Sequence, residues 1–475
     1  MFMLKLENRI QKLIMSRFWI RENVDRRWIY LPIEVKGREL LSKLLIAYFA
    51  LNKGFGVFIG RNGMNISRDF FPRGIYFDKC LSNHKIRFHQ QQVVDLENVL
   101  VSHDEEGLLF ASEENYASRR MSQSSINLST MIFLWGSEQE KIFRNSGRVD
   151  DKLVMTGSPR IDLWSSELNY LISSEAVDLD KKFGSFILVV SNWGYTAAEQ
   201  EAGIDPDKVY PGNPHSFLRS SFLKMIARLA ETFPRQKVIV RPHPVESLDY
   251  WQEVALKFAD IDNVVVIGEG AISPWLRAAK AVIHNNCTTG LEAWIGEIKP
   301  IVYSPHFESS SEFHRYTFRI NSLGSLCHSE SEVIHEVQLR LAEFGSERSD
   351  AEEQLIQRFI LRKKGEFAAE RIVNLLNELE VPTVSYQMQR YGFFKRLRFE
   401  IGQLKWRLKD FLKTTGMYTL KYTLGKNPGI ESEEIEEGLK KFSKHFGLIE
   451  ESFNVIELDK DTFCIFSEKN KSATE

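Results

Sequence analysis

The segment Val101–Gly107, VSHDEEG, places a histidine and three adjacent carboxylates where a short apolar run ends. Adjacent carboxylates repel one another, and a simple turn needs only one Asp or Asn beside its glycine. We therefore expect Asp104, Glu105 and Glu106 to do chemistry, because crowded like charges raise a carboxyl pKa towards the range in which a general base works. The structural alternative is that they cap a helix beginning at Leu108.

A second polar group, RPHP from Arg241 to Pro244, follows the apolar residues KVIV. Prolines cannot continue a central strand, so Arg241 and His243 are predicted to stand at the carboxyl end of one. A cation and a histidine at that point could stabilise a departing anion. The alternative is that His243 is a hydrogen-bonded structural residue.

A third group, HNNCTTGLEA, starts at His284 after another apolar run. Hydroxyls and free N–H groups at a helix N-terminus bind anions, so we expect a helix near Gly290 with a phosphate at its start, although an ordinary cap has the same composition. The segment SNWG, Ser191–Gly194, either adds N–H groups for the phosphate or only turns the chain. The candidate residues for phosphate and nucleotide binding are Arg241, Thr288, Thr289, Asn286, Gly290, Ser191, Asn192 and Ser273.

Short apolar runs alternate with amphipathic stretches in two parts of the chain, beginning with WIYLPIEV, GRELLSKLLIAYFALNKG and FGVFIG. This alternation predicts parallel β-α-β units, hence an α/β fold of two Rossmann-like domains that face a cleft and bind ligand at the carboxyl ends of their strands. The predicted divisions are an N-terminal helical segment (1–27), a first Rossmann-like domain (28–165), a helical connector (166–185), a second Rossmann-like domain with closing helices (186–380) and a C-terminal extension (381–475).

The C-terminal extension contains a basic amphipathic segment. Between Arg390 and Lys426, ten basic residues stand against two acidic ones, a net charge of +8, with apolar residues interleaved. Such a segment could lie on anionic lipid. A charged helix face packed against the protein body would have the same pattern.

The composition is that of an ordinary globular protein, with 43% apolar and 27% charged residues among 475 and a net charge of −2. This balance argues against nucleic acid as a partner. The four cysteines show no spacing typical of a zinc site or a disulfide framework. The longest apolar run, LLIAYFAL, is far shorter than the roughly 20 residues of a membrane span. We expect a cytoplasmic protein, at most in contact with the inner face of the membrane.

A D/E-D/E-G motif, an H-P motif and a Ser/Thr pair, in this order across two Rossmann-like domains, resemble the bacterial sialyltransferases, polysialyltransferases and capsule Kdo transferases of the GT-B fold. The segments YLPIEVKGREL, DEEGL, LWGSEQEKIF, TGSPRIDLW, VRPHP, ISPWLRAAKAVIHNNCTTGLEA and KPIVYSP are similar to a family called surface carbohydrate biosynthesis proteins. The resemblance covers about residues 29–380 and implies that 28–165 is an acceptor domain and 186–380 a nucleotide-sugar donor domain. It implies a metal-independent inverting glycosyltransferase, without a cofactor, that uses a CMP-activated sialic-acid-like or Kdo-like ulosonic acid and a glycan or lipid-linked glycan acceptor.

The resemblance also implies roles for individual residues. Glu105 takes the place of the general base that removes the proton from the acceptor hydroxyl, with Asp104 and Glu106 as rivals. His243 would stabilise the leaving nucleotide phosphate. Arg241 would add positive charge beside it, and Thr288 and Thr289 would hold the donor phosphate.

Three other functions are compatible with the same motifs. A UDP-sugar 2-epimerase shares the two-domain layout and a helix start like GLEA, and needs no acceptor. A polyol-phosphate transferase with a CDP donor shares the His-Pro motif and the hydroxyl pair. A non-catalytic protein could bind nucleotide-sugar or glycan as a scaffold at the membrane.

Overall fold

A computed structural model describes most of the chain between residues 26 and 467. The described residues are 26–62, 64, 66, 71–81, 84–107, 113–148, 151–165, 167–243, 246–305, 319–344, 347–363, 365–381, 394, 397–398, 401–402, 404, 429–447, 453–459 and 461–467. The predicted N-terminal segment lies outside them except for residues 26 and 27. Most of the basic segment 390–426 also lies outside them.

The strands are β1 (Trp28–Ile33), β2 (Gly56–Arg61), β3 (Ile75–Asp78), β4 (Val99–His103), β5 (Met131–Leu134), β6 (Leu153–Met155), β7 (Phe186–Val190), β8 (Lys237–Arg241), β9 (Val264–Val266), β10 (Ala281–His284), β11 (Ile301–Tyr303), β12 (Ser325–Cys327), β13 (Phe453–Asp459) and β14 (Thr462–Ser467). The helices are α1 (Lys36–Asn52), α2 (His84–Asp95), α3 (Glu113–Arg120), α4 (Gln123–Leu128), α5 (Ser137–Asn145), α6 (Pro159–Asp162), α7 (Tyr170–Phe183), α8 (Ala197–Glu201), α9 (Pro214–Thr232), α10 (Leu248–Lys257), α11 (Ser273–Ala278), α12 (Thr288–Ile295), α13 (Glu330–Leu341), α14 (Asp350–Phe359), α15 (Ala368–Glu378) and α16 (Ser432–Phe446), with a 3-10 turn at Arg319–Ser322.

The chain forms two compact units, each built on one sheet. Unit 1 takes its described residues from Met1–Gly107, Glu114–Asp162 and Arg358–Glu475, and unit 2 from Leu108–Glu113 and Leu163–Gln357. In the described part, the sheet of unit 1 has the order β13-β14-β2-β1-β3-β4-β5-β6 and that of unit 2 the order β12-β11-β10-β7-β8-β9. Strands β1 to β6 are parallel to one another, as are β7 to β12. The predicted α/β class with two Rossmann-like parallel sheets is confirmed.

The central strands are apolar because helices cover both faces of each sheet. All six residues of β1 and all five of β7 are buried. Helix α1 is buried from Ser42 through Leu51, so it has no solvent stripe over that stretch. Such continuous apolar runs are typical of parallel sheets. No helix among the described residues is long and apolar enough to cross a membrane.

Two segments pack differently from the predicted divisions. The connector 166–185 contains α7, whose Phe183 ring lies 5.5 Å from Trp275 of α11, so this helix belongs to unit 2. Helix α15, predicted to close the donor domain, packs in unit 1. Its buried face consists of Ala368, Ala369, Ile372, Val373 and Leu376. Amphipathic periodicity predicts this face but cannot name the surface that covers it.

The C-terminal extension completes unit 1. Strand β14 pairs antiparallel with β2, and β13 pairs antiparallel with β14, so the hairpin extends the parallel sheet at its edge. Helix α16 lies on α1 through its Phe446 ring, which is 5.6 Å from Tyr48 and 5.3 Å from Phe49. Phe367, just before α15, is 5.2 Å from the same ring. This aromatic cluster is the physical reason that α15 and α16 return to α1.

The hairpin depends on a glycine in β2. A Cβ on Gly60 would lie 2.3 Å from the carbonyl oxygen of Asp461 and 2.9 Å from the Cα of Thr462, both of which are backbone atoms. We therefore expect Gly60→Ala to lower the free energy of unfolding by about 1–3 kcal/mol and to speed proteolysis of residues 453–467. Gly37→Ala is the control, since nothing lies within 4 Å of a Cβ at that position. Equal stability of the two variants in urea unfolding would contradict the pairing of β14 with β2.

Candidate active-site residues

In unit 1, the carboxylates Asp104 to Glu106 form a tight turn directly after β4. The Gly107 N–H donates to the Asp104 carbonyl (3.2 Å), and the Glu106 N–H donates to Asp104 Oδ1 (3.0 Å). The Trp135 indole N–H also donates to the Asp104 carbonyl (2.7 Å). A Cβ on Gly107 would lie 2.8 Å from Gln139 Nε2 and 2.9 Å from the Trp135 ring. Close packing therefore explains the glycine that ends the motif.

Asp104 is a buried, fully occupied carboxylate. Arg120 of α3 binds both of its oxygens, with the Nε contact at 2.9 Å, and the Tyr116 hydroxyl donates to Oδ2 at 2.9 Å. Gln139 in turn donates to the Tyr116 hydroxyl (2.7 Å). These contacts give Asp104 a structural role, in which it holds α3 against the end of β4.

Glu105 is paired with Lys43 of α1. The Lys43 ammonium lies 2.7 Å from Glu105 Oε1 and 4.4 Å from the centre of the Phe77 ring, and the two charged side chains are 1% and 7% exposed. Burial alone would raise the pKa of Glu105, but the charge and hydrogen bond of Lys43 and the charge of Arg38 more than offset it and lower the pKa below its ordinary value. Glu105 is therefore an ionised carboxylate at neutral pH.

Glu106 is the most exposed of the three, with 35% of its side chain accessible. It accepts hydrogen bonds from Arg38 (3.1 Å) and Arg120 (2.9 Å). Burial raises the pKa of Glu106, but the charges of Arg120 and Arg38 lower it by a larger amount. The pKa of Glu106 is therefore below its ordinary value. Of the three carboxylates, Glu106 offers the largest surface to a molecule in solution.

The expectation that crowding raises these pKa values is wrong for Glu105 and Glu106, because each carboxylate has a cation of its own. The like-charge effect falls instead on Glu39 of α1, whose pKa is raised first by burial and then by the charge of Glu105. Sequence reasoning missed Glu39, Arg38, Lys43 and Arg120. A usable signal was present for two of them, since Glu39 and Lys43 stand at i, i+4 directly before the continuous apolar run Leu44–Leu51 of the same helix.

Removing one partner of the Glu105–Lys43 pair should destabilise the protein more than replacing both partners. Removal of one partner of a buried ion pair costs about 3–5 kcal/mol, whereas apolar replacement of both is often neutral. We expect Lys43→Met to lower the free energy of unfolding by about that amount, and Lys43→Met/Glu105→Met to recover most of the loss. Lys181→Met, which removes an exposed partner of Asp178, serves as the control. A double variant as unstable as the sum of its single variants would contradict direct pairing.

In unit 2, the carboxylate of Glu246 joins the ends of two neighbouring strands. It is 5% exposed, and its two oxygens accept four hydrogen bonds, which matches the acceptor capacity of a carboxylate. The donors are the Ser191 hydroxyl (2.8 Å), the Gly194 N–H (2.8 Å), the His243 N–H (3.0 Å) and the Trp251 indole N–H (2.9 Å). Burial raises the pKa of Glu246, and these hydrogen bonds act in the opposite direction.

Glu246 explains two features of the motifs. A Cβ on Gly194 would lie 2.6 Å from the Glu246 carboxyl group, so the glycine of SNWG is required by the approach of that side chain. His243 has its backbone fixed by the same carboxylate, while its side chain remains partly accessible. Sequence reasoning missed Glu246, because only the fold brings a residue three positions after His243 under the exit of β7.

Arg241 holds a loop. Its guanidinium donates to the carbonyls of Glu269 and Gly270, the latter at 2.8 Å, and lies 5.0 Å from the centre of the Trp275 ring. Burial lowers the pKa of Arg241 to about 10, against the opposing charge of Glu269. The residue therefore positions the loop before α11, at whose first position Ser273 stands.

The third motif lies at the exit of β10, which neighbours β7 in the sheet. Helix α12 begins at Thr288, two residues before the predicted start at Gly290. Asn286 has a positive φ of 46°, and its carbonyl accepts a hydrogen bond from Asn192 Nδ2 (2.9 Å), which ties this loop to SNWG. The Cys287 thiol donates to the Thr289 hydroxyl (3.3 Å). Thr288 is partly accessible at the helix start.

Gly290 has a packing role. The His284 ring lies under α12, and a Cβ on Gly290 would be 2.2 Å from it. Burial lowers the pKa of His284 to about 4, so the ring is neutral at physiological pH. The predicted nucleotide-binding residues of unit 2 thus stand at the exits of the adjacent strands β10, β7, β8 and β9, and Pro244 lies outside the described residues.

No protein family model matches the chain, and no curated protein matches it. Among solved structures, the wall teichoic acid polymerase TagF is similar, with a TM-score of 0.50, 10% identity and coverage of 79% of this chain and 94% of that one. A UDP-GlcNAc 2-epimerase from Methanocaldococcus jannaschii gives a TM-score of 0.46 and 13% identity, with 74% and 99% covered. Alr3699/HepE from Anabaena, in complex with UDP, gives a TM-score of 0.40 and 13% identity, with 74% of this chain and 100% of that one covered. The likeness to TagF agrees with the GT-B-type fold class.

Glu246 has a sharp structural test. In Glu246→Gln, the amide NH2 would face backbone or indole N–H donors in either orientation, and a buried unsatisfied polar group costs about 1–3 kcal/mol. We expect a loss of that size in the free energy of unfolding. Glu253→Gln on the exposed side of α10 should change it by less than about 0.5 kcal/mol. If both variants unfold at the same urea concentration, Glu246 does not hold the two strand exits.

Proposed function

We propose that the protein is an inverting glycosyltransferase that moves a sugar from a nucleotide donor to a surface glycan or to its lipid-linked precursor. The observation that supports this most strongly is the set of hydrogen bonds that Glu246 accepts from the ends of two strands. One buried carboxylate fixes the exits of β7 and β8 beside the start of α12. Rossmann-like sheets bind nucleotides at this edge, and a fixed edge needs no reorganisation when charge develops on a ligand.

On the donor side, the phosphate would lie at the start of α12, where Thr288 supplies a hydroxyl and the helix dipole favours an anion. His243 would stabilise the phosphate as the sugar leaves. Arg241 adds positive potential but is already bound to backbone carbonyls, so we assign it to positioning the loop before α11. A polar edge of this kind stabilises the departing nucleotide without a divalent metal.

On the acceptor side, a carboxylate of the DEEG turn would remove the proton from the acceptor hydroxyl. The new bond joins the acceptor oxygen to the anomeric carbon, the bond from that carbon to the phosphate oxygen breaks, and the nucleotide leaves with the electron pair. We keep Glu105 as the base that the resemblance implies. Glu106 is the rival that the geometry favours, because a base must reach its substrate and Glu106 is far more accessible. Asp104 is occupied by Arg120 and is less suited.

For the donor we propose a CMP-activated ulosonic acid, since the order of the three motifs resembles the transferases that use such donors. UDP-sugars and CDP-linked polyols are the competing donors. The nucleotide separates these three cases, so binding can be measured before any acceptor is known.

A thermal-shift series with CMP, CDP, UDP and GDP tests the proposal. We expect CMP to raise the melting temperature in the presence of EDTA, because a ligand at about 100 times its Kd stabilises a protein by about 2.7 kcal/mol. His243→Ala should reduce this shift and abolish hydrolysis of a CMP-sugar. Glu106→Gln, placed on the acceptor side, should leave the shift unchanged.

Other outcomes of the series contradict parts of the proposal. A preference for UDP, with conversion of UDP-GlcNAc in the absence of acceptor, would indicate an epimerase. A preference for CDP would indicate polyol-phosphate transfer. No shift with any nucleotide would contradict the transferase proposal altogether.

A further inference from the structure

Four large apolar side chains are exposed at described helical positions of unit 1. Phe394 is 82% exposed, Leu397 42%, Ile401 42% and Leu404 59%, and all four positions are helical. Their spacing of three, four and three residues corresponds to an arc of about 80° at the helical rotation of 100° per residue. They therefore form one apolar stripe.

This stripe differs from the other exposed apolar residues. Elsewhere in the described residues, the large ones stand singly in the chain, at Met155, Tyr170, Val177, Val209, Leu256, Leu326 and Phe344. Scattered residues of this kind are normal on a protein surface, whereas a contiguous exposed patch marks an interaction site.

The chain around the stripe is strongly basic. The sequence from Arg390 to Lys426 carries a net charge of +8. Arg398, which follows Leu397 directly, reaches Asp95 at the end of α2 with an N–O distance of 3.7 Å. That ion pair lies on the surface, and both partners remain partly exposed.

We infer that the stripe of Phe394, Leu397, Ile401 and Leu404 docks on the surface of an anionic lipid bilayer. Apolar residues on one helix face with Lys and Arg around them are the pattern of a helix that lies in the plane of the headgroups. Each basic residue near an anionic leaflet adds attraction, and high salt weakens it. A second copy of this chain fits less well, since two segments of charge +8 repel one another.

The inference does not depend on the proposed reaction. It stands on the stripe and the charge, and it would place unit 1 beside a membrane whatever the protein catalyses. If the acceptor is lipid-linked, that surface is where the protein would meet it.

The test is flotation of the full chain with phosphatidylcholine vesicles, with or without phosphatidylglycerol, at low and high salt. We expect binding only with phosphatidylglycerol, and weaker binding at high salt. Leu397→Ser/Ile401→Ser/Leu404→Ser should weaken binding at least about tenfold, through the lost apolar contact. The matched control is Val177→Ser/Leu256→Ser, two exposed apolar residues away from the stripe, which should bind like the wild type.

Because all the changed side chains are exposed, the variants should keep the wild-type melting temperature and the wild-type response to nucleotides. A failed nucleotide response would therefore concern the proposed reaction alone. The inference is overturned by equal binding to phosphatidylcholine alone, by unchanged binding of the triple variant, or by concentration-dependent self-association that the triple variant abolishes while the wild type ignores vesicles.

Discussion

A carboxylate that is buried has to be matched by cations or by hydrogen-bond donors, since the cost of leaving it unmatched is several kcal/mol. Both units are organised around this requirement at the carboxyl ends of their parallel strands. In unit 1, Lys43 of α1 and Arg120 of α3 meet the acids that follow β4. In unit 2, Glu246 is saturated by hydrogen bonds from the exits of β7 and β8 and from α10. The chain segments that carry the candidate chemistry are therefore held by the same groups that satisfy buried charge.

The sequence predicted this architecture where the signal was local. Apolar runs of strand length and helical periodicity led to two parallel sheets, and Gly and Pro located the strand exits that carry DEEG and RPHP. The sequence did not predict which residues form ion pairs or hydrogen bonds with these motifs. Lys43 is 62 positions before Glu105, and nothing in a turn motif indicates that a helix will bring an ammonium to it. The pKa argument failed for that reason, because it counted the neighbouring carboxylates and not the cations.

The C-terminal hairpin shows a second limit. Strand β14 joins β2 through backbone hydrogen bonds, and Gly60 admits it by having no side chain. A glycine in a strand indicates close approach of another backbone without naming it. Helix α15 is a similar case, since its apolar face could pack on any apolar surface. The contact of Phe367, just before α15, with Phe446 of α16 places the helix beside α1.

The charges of the two strand edges differ in a way that bears on which substrate each edge suits. Among the ion-paired residues described around the DEEG turn, five carboxylates face four cations, namely Glu34, Glu39, Asp104, Glu105 and Glu106 against Arg38, Lys43, Lys79 and Arg120. An excess of negative charge repels a nucleotide phosphate and suits a group that gives up a proton. In unit 2, Arg241 donates to backbone carbonyls and Glu246 is saturated by hydrogen bonds from neutral donors, while the start of α12 carries the partial positive charge of the helix dipole. This difference in charge supports the proposed assignment of an anionic donor to the edge of unit 2 and a hydroxyl acceptor to the edge of unit 1.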